Sequence, residues 1–140
     1  MPIVNLALTS RPDPARSAAI AATLTRLTAE ILHKAPELTA VAIRHIAPEH
    51  WFVGGADLAG HGRDSFFLDI LVTDETNTAH EKRDYIAAVY AAMVQLLGQV
   101  HEVSYVHVHD ARAAAWGYGG ETQQYRGVVK LLAARDAPLA

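Results

Sequence analysis

The chain has no cysteine among its 140 residues. That excludes disulfides, thiolate metal sites and cysteine nucleophiles. It also has no block of one charge: 12 Lys and Arg stand against 15 Asp and Glu, for a formal net charge of -3. Nucleic acid is therefore not an expected partner, because neutralising phosphates takes clustered cations. No apolar stretch approaches the ~20 residues that span a bilayer, so no membrane partner is expected either. The N-terminus lacks the charged start and apolar centre of a secretory signal. The expectation is a soluble cytoplasmic protein. What remains is globular material, 51% hydrophobic and 19% charged, in a chain long enough to bury one core.

One pattern is written twice along it. Ile3 to Leu8 reads as a short buried strand, and the polar stretch Thr9 to Pro14 ends it. Asp13 can cap the following helix and Pro14 suits its first turn, where no amide hydrogen is needed. Ile20, Leu24, Leu27 and Ile31 then form one apolar helical stripe as far as Lys34, with Pro36 just beyond. A β-branched strand follows from Thr39 to Ile46, and the unit closes with Pro48-Glu49-His50-Trp51-Phe52-Val53-Gly54-Gly55. After a linker over 56–64 the order returns: a strand from Phe66 to Val72, a helix opened by a Thr78/Glu81 capping box and closed by Gly98, and a strand from Val103 to Val108. Trp116-Gly117-Tyr118-Gly119-Gly120 closes the second unit, with Trp51 and Trp116 65 positions apart.

Each unit is expected to be a right-handed β-α-β with parallel strands. The fold class is α/β (α+β): two tandem β-α-β units, 2–55 and 65–120, form one domain with a four-stranded mixed sheet and both helices on one face. The other face has no cover, although Phe67 and Leu71 alternate onto it with Asp69. A homo-oligomer is the expected remedy. In the tail, 121–140, Tyr125 to Leu132 fits an edge strand or a short helix equally well.

Pro2 is the unusual chemical feature. A small second residue favours removal of Met1, and a terminal proline is a secondary amine, whereas an internal one is a tertiary amide without proton or basicity. With the duplication, an arginine in the first strand-helix loop and the two W-x-x-G-G closings, Met1-Pro2-Ile3-Val4 resembles the tautomerase superfamily. The likeness runs over residues 2 to 120. It is closest in kind to the double-length fused forms of 4-oxalocrotonate tautomerase, with cis-3-chloroacrylic acid dehalogenase and malonate semialdehyde decarboxylase as relatives.

The resemblance implies a homotrimer and a small carboxylic acid substrate, with Pro2 and Arg11 as catalytic residues and no metal or organic cofactor. A cation about 5 Å away at an effective dielectric near 20 costs a protonated amine roughly 3 kcal/mol, which would tune it toward a base useful near neutral pH. Arg11 could also hold a carboxylate through paired hydrogen bonds. By the same resemblance His107, Trp116, Tyr118 and Arg44 are candidate substrate-binding residues. Departures from the family pattern narrow the chemistry. Where the dehalogenase and decarboxylase carry paired arginines after the second unit's first strand, this chain has Asp74-Glu75, and a second family arginine falls nearest Ala42, with Arg44 two residues on. His107 and His109 share a strand face, but no third ligand stands at a recognisable spacing, so no metal site is expected.

The intact mass of the protein should fall short of the full sequence by one methionine residue. A retained Met1 would leave Pro2 an amide and remove it from acid-base chemistry.

Overall fold

Val4, Leu6 and Leu8 fall on alternate positions of strand β1 (Ile3–Leu8) and are buried, as the alternation of a half-covered strand requires. Helix α1 (Pro14–Leu32) returns over them, started by Asp13, whose carboxylate accepts the amides of Ala15 and Arg16, and stopped by His33 in a left-handed conformation. Strand β2 (Ala40–His45) then lies parallel to β1. The computed structural model describes residues 2–138. Met1, on whose removal the free amine depends, lies outside them, as do Leu139 and Ala140 of the tail.

A short hairpin, β3 (Phe52–Val53) and β4 (Ala56–Asp57), ends the first unit. Its tip is Gly54-Gly55, both at positive φ, the conformation that a two-residue hairpin turn needs and that side chains resist. The second unit repeats all of this with β5 (Phe66–Thr73), α2 (Ala79–Leu97), β6 (Tyr105–Ala111) and the hairpin β7 (Gly117–Tyr118) and β8 (Glu121–Thr122). The repetition extends to single hydrogen bonds. Leu58 N donates to Trp51 O in one unit, and Gln123 N to Trp116 O in the other. The Gly-Gly pairs that mark the expected unit ends are thus hairpin tips, and one more strand follows each.

The units join through β1 and β5, which pair antiparallel from Ile3–Leu71 to Leu8–Phe66. The sheet order is β2-β1-β5-β6, with a parallel pair on either side of that seam. This is the mixed sheet expected from the sequence, and α1 and α2 pack side by side on one face of it. Beneath them Phe66, Leu68, Ile70 and Val72 join the β1 side chains in a single core, each such burial stabilising by about 1.5–3 kcal/mol. Among the described residues no helix is long and apolar enough to cross a membrane.

The opposite face is bare. Phe67 is 42% exposed and Tyr105 63%, while Asn5, Ala42, Arg44 and His107 also stand there in the open. The tail resolves the choice left by the sequence: it is helix α3 (Gln123–Asp136), capped by Thr122. Leu131, Val128 and Tyr125 on it are exposed.

One polar contact lies deep between the two long helices. The Thr28 hydroxyl donates to the Leu24 carbonyl at 2.7 Å and accepts from the Tyr85 hydroxyl at 2.8 Å, with Thr28 and Tyr85 fully buried. Burial pushes the Tyr85 hydroxyl from 10.0 up to about 12, against a smaller opposing effect of the Thr28 hydrogen bond. The folded chain therefore holds this proton more tightly than the unfolded one. Its contribution is complete below pH 10, and on the order of 2–3 kcal/mol is lost as pH rises from 10 to 12. Tyr85→Phe should cost about 1 kcal/mol at neutral pH and flatten this alkaline loss, read from urea midpoints. Parallel pH curves for the two proteins would remove Tyr85 as the titrating group.

Candidate functional site

Pro2 is buried where it enters β1, and its carbonyl accepts the Ala40 amide at 3.2 Å, which fixes the strand's first residue against β2. It lies on a cavity of about 540 Å³. The other walls include Leu38 and Thr39 from the approach to β2, and Trp116, Tyr118 and Gln123 from the far end of the chain. The path that brings them there starts at Ala111. Strand β6 finishes at the same end of the sheet as Pro2, and the turn over 112–116 is held by Ala115 N donating to Arg112 O and Gln124 N to Ala113 O. Of the residues singled out in the sequence, Pro2, Trp116 and Tyr118 therefore come together.

Arg11 does not join them. It follows the opposite end of β1, and a six-residue strand separates it from Pro2 by roughly 20 Å. It lines a different hollow with Thr9, Pro12 and Asp64. A direct contact between Arg11 and Pro2 of the same chain is thus ruled out by strand length. Because β5 runs against β1, the loop that does flank the Pro2 end is the second unit's, and it carries Asp74 and Glu75.

Lys34, just past α1, is built into this end. Its ammonium donates to the Thr76 hydroxyl at 2.9 Å, and burial pulls its pKa below the usual lysine range, with Glu81 and Asp110 opposing. Arg44 and His107 lie elsewhere, on the bare face of the sheet. Arg44 lines a hollow of about 460 Å³ with Asn5, Trp51, Phe67 and Asp69, while His107 stands at the opposite edge of the sheet on β6 beside Asp69.

Two further residues, both from α3, carried no signal in the sequence: one lines the Pro2 cavity and the other holds Tyr118. Gln123 lines the cavity, and Arg126 stacks on the Tyr118 ring, 3.9 Å from its centre, while donating to the Tyr118 carbonyl at 3.0 Å. Trp116 Nε1, Gln123 Nε2 and Arg126 Nε are buried without a hydrogen-bond partner among the described residues. Unsatisfied buried donors are costly, and two of these, on Trp116 and Gln123, belong to residues that line the Pro2 cavity.

This geometry has counterparts. Residues 2–59 match the family model described as tautomerase enzyme. No curated protein matches the chain. Among solved structures, a native fused 4-OT is 25% identical, over 89% of this chain and 98% of that one, with a TM-score of 0.76. A wild-type fused 4-OT described as a symmetric trimer has 17% identity, 89% and 98% coverage and a TM-score of 0.78. A member of the cis-3-chloroacrylic acid dehalogenase family has 22% identity, 96% and 92% coverage and a TM-score of 0.73.

The sheet, the paired helices and the two hairpins therefore define the tautomerase class of fold. More narrowly, the double-length arrangement of two β-α-β units is that of the fused 4-OT structures, and the stretch that matches the tautomerase family model is the first unit.

Gly117 sets how closely the hairpin folds over Pro2, since a Cβ there would overlap the Glu121 carbonyl. Gly117→Ala should force the β7–β8 pair apart at a cost of about 1–3 kcal/mol in urea unfolding. An unchanged midpoint would mean that the two strands do not approach so closely in solution.

Proposed function

We propose that the chain is a cofactor-independent tautomerase, an isomerase that moves a proton within a small 2-keto or unsaturated carboxylic acid. Pro2, freed by loss of Met1, takes the proton from carbon or from an enol oxygen and returns it elsewhere on the same molecule. The observation that carries this reading is the placement of Pro2 on a cavity walled by Trp116, Tyr118 and Gln123. An apolar enclosure disfavours the protonated amine and so keeps it a base. The donors of Trp116 and Gln123 suit the negative charge that develops on an enolate, and Tyr118, which lines the same cavity, would deliver or accept a proton.

Arg11 enters from a neighbouring copy in this scheme, binding the substrate carboxylate. That assignment fits a homotrimer, the state described for the fused 4-OT relatives, and it gives the bare face of the sheet a cover. Arg44 and His107, on that face, would then meet the same neighbour.

A second reading rests on Asp74 and Glu75 at the Pro2 end. Carboxylates there favour a protonated amine, and a protonated Pro2 acts as an acid, as hydration, dehalogenation or decarboxylation within the same superfamily would need. A non-catalytic trimeric binding protein is the remaining alternative.

Tautomerisation of phenylpyruvate or 2-hydroxymuconate tests the choice. Pro2→Ala should lower the rate by on the order of a hundred-fold or more, and Arg11→Ala should chiefly raise KM. Equal rates for the native chain and Pro2→Ala would remove Pro2 from the mechanism. No turnover by the native chain would turn the reading toward the protonated amine or toward binding alone.

A further inference from the structure

Two histidines at i and i+2 of one strand offer a metal only half a site, and the spacing of the sequence holds no third ligand for them. The sheet supplies one. Strand β6 pairs parallel with β5, and its register sets Asp69 beside His107, so the carboxylate emerges on the same bare face as His107 and His109. A ligand atom from each of Asp69, His107 and His109 lies within 4.8 Å of the other two. The imidazole rings stand 5.4 Å apart, tilted by 39°.

The contact inside this cluster is unusual. His107 Nδ1 and Asp69 Oδ1 are 2.8 Å apart, yet Oδ1 is buried and has no aligned hydrogen-bond donor. Judged by distance alone this is an ion pair, and by angle it is not a hydrogen bond. The angle decides, because a proton between two heavy atoms must point along the line joining them. A buried carboxylate oxygen beside an imidazole nitrogen, with no proton aligned between them, is a pair of donors facing a shared vacancy in charge.

From this arrangement we propose that Asp69, His107 and His109 bind one divalent transition metal ion per chain, zinc being the reference case. Two imidazoles and one carboxylate, without sulfur, suit zinc, nickel, copper or iron(II) and do not suit calcium or magnesium, which prefer all-oxygen shells. Zinc bonds of about 2.0–2.2 Å require the three donor atoms to draw to within about 3.5 Å of one another, a matter of small side-chain rotations on two rigid, adjacent strands. The remaining positions face away from the sheet and take water or, in an assembled oligomer, a donor from the copy that covers this face. Pro2 has no part in this site: it lies beyond Ile3, on the strand past β5, roughly 10 Å across the sheet from β6. The ion would clamp β6 to β5 at the edge of the domain.

Calorimetric titration of the untagged, metal-stripped chain with zinc chloride tests the proposal. One ion per chain should bind with micromolar affinity or better, and His107→Ala, His109→Ala and Asp69→Asn should each weaken it by about ten-fold or more. His80→Ala, on the exposed surface of α2, should leave it unchanged. Cobalt(II) gives a second readout that needs no affinity change, since visible absorption bands from nitrogen and carboxylate ligation should appear in the native chain and vanish in His107→Ala. The proposal fails if zinc uptake does not saturate. It also fails if uptake survives the His107→Ala/His109→Ala double substitution, or if the cobalt bands persist in a folded His107→Ala protein.

Discussion

The antiparallel seam between β1 and β5 is where two half-domains become one. Neither β-α-β unit can bury its own helix stripe against two strands alone, since Ile20 and Leu24 of α1 need the same floor that Phe66 and Leu68 help to make. Pairing Ile3 with Leu71 and Leu8 with Phe66 sets the register of that floor. A slip of one residue would carry Leu68 and Ile70 to the bare face and Asp69 into the core. The Thr28–Tyr85 hydroxyl contact adds directional specificity above the seam, because a buried hydroxyl pair tolerates little sliding of one helix along the other.

The same antiparallel arrangement sorts the chemistry by end. Each unit's strand-helix loop sits at the opposite end of the sheet from that unit's own first residue. The Pro2 end therefore gathers the end of α1, the loop after β5 and the exit from β6, while Arg11 sits with the start of β5. A catalytic group at one end is met by the return of its own unit's helix and by the other unit, not by its own strand-helix loop. In this chain the other unit contributes Trp116, Tyr118 and Gln123.

How far the sequence foretold this varies residue by residue, for physical reasons. The strands, helices and caps were legible because they depend on local patterns: Asp13 before Pro14, Thr78 three residues before Glu81, two glycines after each tryptophan. The sheet followed from the duplication. Trp116 and Tyr118 were found through resemblance, and the cavity places them with Pro2. Arg11 is not an intrachain neighbour of Pro2, because adjacency in a motif is not adjacency in space and the six-residue strand between them measures the gap. Asp69 and Gln123 could not be found by spacing at all. Asp69 meets His107 only through the β5–β6 register, and Gln123 reaches Pro2 only because the second hairpin closes over the start of β1.

The internal start of the second unit has a consequence for how such a chain can change. In an assembly of separate, identical units every strand-helix loop is copied at every position, so any substitution that spoils one corner of the molecule spoils them all. Fusion ends that constraint. The residues around Phe66 can never expose an amine, and the loop after Thr73 no longer has to repeat what Arg11 does. Asp74 and Glu75 stand where the first unit has Arg11, so two halves of the same topology present different charge at corresponding corners, a polarity that separate identical units could not have.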